Sequence, residues 1–91
     1  MAHPIDIEVG KRLKKFRRAL HLSQTDVAKK LGISFQQVQK YEIGTNRLAA
    51  SRLFELCQIF GVTPNEFFHE YEGAENKSTP PITADYSLVA G

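Results

Sequence analysis

Apolar positions in the first two-thirds of the chain recur at helical spacing, and the polar residues between them mark where each helix starts and stops. Val9, Leu13, Phe16 and Leu20 stand at i, i+4, i+7 and i+11, one stripe of a first helix. Asp6 is the expected N-cap of that helix, with residues 1–5 loose before it. Ser23 and Asp26 then have the spacing of a capping box, flanked by Leu22 and Val27 as a hydrophobic staple. Val27 and Leu31 continue the apolar face, and Gly32 ends the second helix. Ile33, Ser34, Gln37 and Val38 repeat staple and box, so a third helix follows after about three turn residues, the connection of a helix-turn-helix. A fourth helix is expected from about Ala50 to Phe60, with Leu53, Leu56 and Phe60 on one face and Gly61 as its stop. Val62, Thr63, Pro64, Glu66 and Phe67 form a third staple and box, and a fifth helix begins near Pro64.

The third helix has the most informative wheel. With Val38 turned inward, Gln36 and Lys40 point almost directly outward, Gln37 and Gln39 flank them, and Phe35, Tyr41 and Glu42 lie nearer the buried side. Three amides and an ammonium can bond base edges and phosphates. Such a face taken alone is more often a solvated surface; the helix before it and the surrounding charge turn the reading toward DNA. Gln37 ranks below Gln36 for base contact because its side chain has a competing task in the capping box.

Charge is unevenly distributed. Residues 1–52 hold 11 Lys or Arg against 4 Asp or Glu, whereas residues 53–91 hold 1 against 6. A basic half beside an acidic half fits a polyanion-binding face on one side and a solubilising or protein-contacting surface on the other. Lys11, Arg12, Lys14, Lys15 and Arg18 occupy the outer faces of the first helix, where solvation and DNA contact are equally good readings. Arg17 lies instead on the flank of the apolar stripe, and Glu42 lies similarly on the third helix. A partly buried carboxylate needs a cation, and the two residues are expected to pair.

The run LSQTDVAKKLGISFQQVQKYEIGTNR resembles the phage-repressor type of helix-turn-helix, the Cro/cI or XRE family of DNA-binding proteins. The resemblance continues through LFELCQIFGVTPNEFF and covers roughly residues 6–70, with Gln24, Ala28, Gly32, Val38 and the Glu42–Gly44 exit at family spacing. It implies an all-α, five-helix lambda-repressor-like domain over residues 6–72, with the motif at 23–42. It also implies a sequence-specific transcriptional regulator that places the helix at about 34–42 in the major groove. Base readers would be Gln36, Gln37, Lys40 and Phe35, the last departing from the polar residue common in the family and able either to touch a thymine methyl or to pack inward. Phosphate contacts would be Gln24, Gln39, Thr45, Asn46, Arg47 and Arg17, and family members often pair an Arg and a Glu at the positions of Arg17 and Glu42.

Relatives of this kind commonly dimerise so that two recognition helices enter successive major grooves about 34 Å apart, which implies a homodimer, a palindromic operator and repression. Val62, Phe67, Phe68 and Tyr71 are the interface candidates, since two adjacent aromatics exceed what one small core needs. The alternative is an antitoxin or adaptor that uses the same fold with a partner-binding tail. That tail, residues 73–91, contains two consecutive prolines and no helical period and is expected to be flexible; a tail without function is the first reading, and Ile82, Tyr86, Leu88 and Val89 as a segment for a protein partner is the second.

Several classes find no support. His3, His21, His69 and Cys57 have neither metal-ligand nor nucleophile-base spacing, so no enzyme, metal or cofactor is expected. Cys57 falls among Leu53, Leu56 and Phe60 and reads as a core residue. No apolar run approaches the roughly 18–20 residues that cross a membrane, and MAHPIDIE lacks the basic-then-apolar order of a leader, so a cytoplasmic protein is expected.

Overall fold

The computed structural model describes residues 2–68. Their regular elements are all helical: α1 Pro4–Ala19, α2 Gln24–Leu31, α3 Phe35–Ile43, α4 Ala50–Phe60, and a short 3-10 helix Pro64–Phe68. The first helix begins earlier than expected. His3, not Asp6, is its N-cap, because its Nδ1 accepts the Ile5 N–H at 3.1 Å and Pro4 supplies a fixed φ at the first helical position. Asp6 falls in the first turn, where its negative charge interacts favourably with the positive end of the helix dipole.

Ser23 and Asp26 close a full capping box, with Ser23 Oγ accepting the Asp26 N–H at 2.9 Å and an Asp26 carboxylate oxygen accepting the Ser23 N–H at 2.8 Å. These bonds hold the Asp26 carboxyl below its usual 3.8, the bond to the Ser23 amide being the larger cause. A carboxylate whose pKa is depressed by folding stabilises above its unfolded pKa, and that contribution disappears as the pH falls through the folded value. The stability difference between wild type and Asp26→Asn should therefore be present at neutral pH and shrink in urea titrations as the pH falls below the ordinary carboxylate range. At Ser34 only half the device forms: its hydroxyl accepts the Gln37 N–H at 3.2 Å, and the Gln37 side chain is left out of the cap.

Expected apolar faces meet in one core. Leu13, Val27, Val38, Leu56 and Phe67 are fully buried, with Val9, Ala28, Tyr41, Cys57 and Phe60 nearly so. Each large aliphatic or aromatic residue buried in this way contributes roughly 1.5–3 kcal/mol. The α1 helix packs on α3 and on the 3-10 helix, α2 packs on α3, and α4 closes the far side against α2 and α1. Leu20 departs from the expected stripe; α1 ends at Ala19, and Leu20 turns out of the helical line and stays half exposed. Burial raises the Cys57 thiol above its ordinary value, with the Glu66 charge as a lesser cause, so it remains a protonated core residue at neutral pH.

The fifth helix is a 3-10 helix rather than an α-helix. The Glu66 N–H bonds the Thr63 carbonyl at 3.1 Å, an i to i−3 closure, while a Glu66 carboxylate oxygen accepts the Thr63 N–H at 2.8 Å. Within this turn Phe67 is drawn inside, edge-on to Phe16 with ring centres 5.2 Å apart. The expected tail over 73–91 and Tyr71 lie outside the described residues.

Candidate nucleic-acid interface

The third helix is seated by backbone contact and by one buried ionic junction. At Gly10 of α1 the backbone comes so close to α3 that a Cβ would fall against the Tyr41 carbonyl oxygen and 2.5 Å from that of Glu42. Gly44, the cap that ends α3, lies against the Ile7 backbone with φ +83. Neither position has room for a side chain.

Between these contacts Glu42, 7% exposed, receives Arg17 Nε–H at 2.6 Å, Arg17 Nη2–H at 3.2 Å and Gln24 Nε2–H at 3.0 Å. Arg17 also donates through Nη1 to the Leu22 carbonyl at 2.9 Å. The expected pair is therefore the centre of a junction that joins α1, the α1–α2 turn, α2 and α3. Among the described residues no buried side-chain polar atom is left without a partner. The guanidinium of Arg17 is turned to Glu42 and Leu22, and its side chain is 11% exposed.

This seating presents the opposite side of α3 to solvent. Gln36, Gln39 and Lys40 are exposed, whereas Val38, Tyr41 and Glu42 are buried. Phe35 is 46% exposed at the start of the helix, so of its two readings the outward one fits. Gln37 is half buried and sits to one side, facing the loop after α3 rather than the outer stripe. Ile43, 61% exposed at the other end, was not singled out in the sequence; its i+7 spacing from Gln36 was the available signal.

The loop that follows brings Thr45, Asn46 and Arg47 beside that flank. With Gln37, Gly44, Asp6, His3 and Ala2 they line an open concavity of about 490 Å³ between the start of α1 and the exit of α3. Arg47 Nε–H donates to Asp6 at 2.9 Å, an ion pair in which Arg47 remains largely exposed. Gln24 lies at the start of α2, one amide proton committed to Glu42 and the other remaining.

A family model described as helix-turn-helix, HTH_3, matches residues 13–67. The chain belongs to this helix-turn-helix family. An uncharacterized HTH-type transcriptional regulator of Sinorhizobium medicae is 47% identical over 85 residues, an alignment covering 93% of this chain and 60% of that protein. The antitoxin PezA of Streptococcus pneumoniae is 33% identical over 81 residues, covering 89% of this chain and 48% of PezA. Among solved structures, the restriction-modification controller protein C.AhdI from Aeromonas hydrophila superposes with a TM-score of 0.64 at 27% identity, over 68% of this chain and 94% of C.AhdI. This helix-turn-helix chain thus spans 60% of the length of the Sinorhizobium regulator it matches.

Away from α3, the dimer candidates separate. Phe67 is 1% exposed and offers a partner no surface, because Phe16 and the core already cover it. Val62 and Phe68 are half buried against the same core, and Phe54 of α4, which the sequence reading passed over, is 62% exposed. Lys11, Lys14, Lys15 and Arg18 form a cationic stripe on the outer side of α1 around a shallow hollow. No helix among the described residues is long and apolar enough to cross a membrane.

Proposed function

We propose that this helix-turn-helix chain is a sequence-specific DNA-binding transcriptional regulator in the cytoplasm, a homodimeric repressor that inserts α3 into the major groove of a palindromic operator. One observation carries the reading: the buried junction and the Gly10 contact turn Gln36, Gln39 and Lys40 outward on one helix, with α2 beside it in helix-turn-helix order. Gln36 and Lys40 read base edges, and Phe35 meets a thymine methyl. Gln37, on the flank, reaches the groove edge. Gln24 at the start of α2, Gln39, Thr45, Asn46 and Arg47 take phosphates. Residues 6–72 form the DNA-binding unit, and Val62, Phe68 and Tyr71 with Phe54 contribute the dimer surface.

Selection from a random duplex pool at two salt concentrations tests this. Wild type should enrich a palindrome with half-sites roughly 10 base pairs apart, and Gln36→Ala should lose about 1–3 kcal/mol of discrimination at one position of each half-site. Strongly salt-dependent binding with no enriched motif would reduce the basic surface to a nonspecific one.

The similarity to PezA supports a second reading, an antitoxin that binds DNA with this fold and captures its toxin through residues beyond 73. Removal of residues 74–91 should leave DNA binding intact under the first reading and abolish partner capture under the second.

A further inference from the structure

The concavity between the start of α1 and the exit of α3 has a chemistry that the recognition helix does not account for. Two groups on α1, His3 and Asp6, share it with the donors Gln37, Thr45, Asn46 and Arg47. His3 caps α1 by accepting the Ile5 N–H on Nδ1. A ring nitrogen that accepts carries no proton, so the neutral imidazole holds its proton on Nε2 and is a donor there. The cap thereby fixes the tautomer of an exposed imidazole at the edge of the concavity.

Asp6 has the opposite character. Its carboxylate holds Arg47, the strongest anion ligand in the loop, through Nε at 2.9 Å. The pair is solvent-exposed on the Arg47 side, and a pair of this kind is weak enough for another anion to replace the carboxylate. A backbone phosphodiester is a monoanion whose two non-bridging oxygens offer the same fork to the guanidinium.

We infer that this concavity is a backbone-phosphate site, in which the Nε2–H of His3 joins Arg47, Thr45 and Asn46 as a donor and the DNA phosphate displaces Asp6 from Arg47. The inference rests on the DNA-binding reading above and adds two residues to it. His3 is a ligand tied to the helix it caps, and Asp6 is an internal competitor that holds down binding to duplex of any sequence. Because the phosphate carries no base information, both effects act equally on operator and unrelated DNA.

The test measures binding of the full chain to an operator duplex and to an unrelated duplex across a salt series, for wild type, Asp6→Asn and His3→Ser. Asn is nearly isosteric with Asp, and Ser is itself a good N-cap, so circular dichroism should show both variants folded. Asp6→Asn should tighten both duplexes by roughly two- to fivefold. Its logarithmic salt slope should stay close to that of wild type, since Arg47 meets the same phosphate in both proteins and only the competing carboxylate is gone. His3→Ser should weaken both by roughly two- to tenfold with the salt slope unchanged, because the lost donor is neutral. If wild type binds DNA and either variant matches it in affinity and slope, the assignment is overturned while the DNA reading stands. If wild type binds neither duplex, the DNA reading fails and the site falls with it.

Discussion

Gly10→Ala is expected to cost about 3 kcal/mol, at the upper end of what overpacking does, and to lower the melting temperature by roughly 12–24 °C for a domain of this size. The added methyl meets carbonyl oxygens of α3, at Tyr41 and Glu42, and not the end of a side chain that could swing away. Relief would require α1 and α3 to separate, which would loosen Leu13 and Val38 in the core and shift the Arg17–Glu42 junction. Gly32→Ala is the control. Gly32 has φ +71 with nothing within 4 Å of an added Cβ, so only the cost of a left-handed alanine is expected, about 1 kcal/mol. Thermal unfolding followed by circular dichroism separates the two. Equal losses would mean that the helix crossing tolerates a methyl group.

Glu42→Gln should destabilise by about 3 kcal/mol, the lower end for breaking a buried ion pair. The substitution keeps the size of the side chain and removes its charge, which leaves the Arg17 guanidinium facing a neutral amide while its side chain is only 11% exposed. Some of the loss is offset by the Leu22 carbonyl, which continues to accept from Arg17. Urea titration reads the difference, and a change within about 0.5 kcal/mol would show that the charge is dispensable. Arg17→Met combined with Glu42→Leu should recover part of the stability, because removing both charges is less damaging than orphaning one.

Much of this arrangement was legible in the sequence because its signals are local. Ser23 and Asp26 declare a helix start through the spacing of two side chains, and Gly32 and Gly61 declare the stops through the one backbone conformation that suits glycine. Gln36, Gln39 and Lys40 followed from the wheel once Val38 was turned inward, whereas Phe35, which the wheel put nearer the buried side, is exposed at the start of the helix; the Arg17–Glu42 pair followed from the cost of leaving either charge alone in a half-buried place. Gly10 was not legible, because its role depends on a close approach between segments more than thirty residues apart and nothing in its own neighbourhood announces it. The start of α1 was misplaced for a different reason. Asp6 is a common capping residue and histidine an uncommon one, so the rule favoured the wrong residue until Pro4 was given its weight. Phe67 illustrates the reverse limit, since two adjacent aromatics fix that one turns inward without saying which. Phe16, edge-on to Phe67, decides it. Gln24 stood out by its place at the start of α2, while its bond to Glu42 came only with the packing of α2 on α3.

The seating of α3 against Gly10 separates two properties that protein surfaces often entangle. What holds the helix in place is its own main chain together with Val38, Tyr41 and Glu42, and none of these points outward. The side chains at 35, 36, 39, 40 and 43 are exposed and take no part in the buried contacts that seat the helix. If these residues read DNA as proposed, substitutions confined to a handful of codons would change the target and leave the scaffold beneath them unchanged.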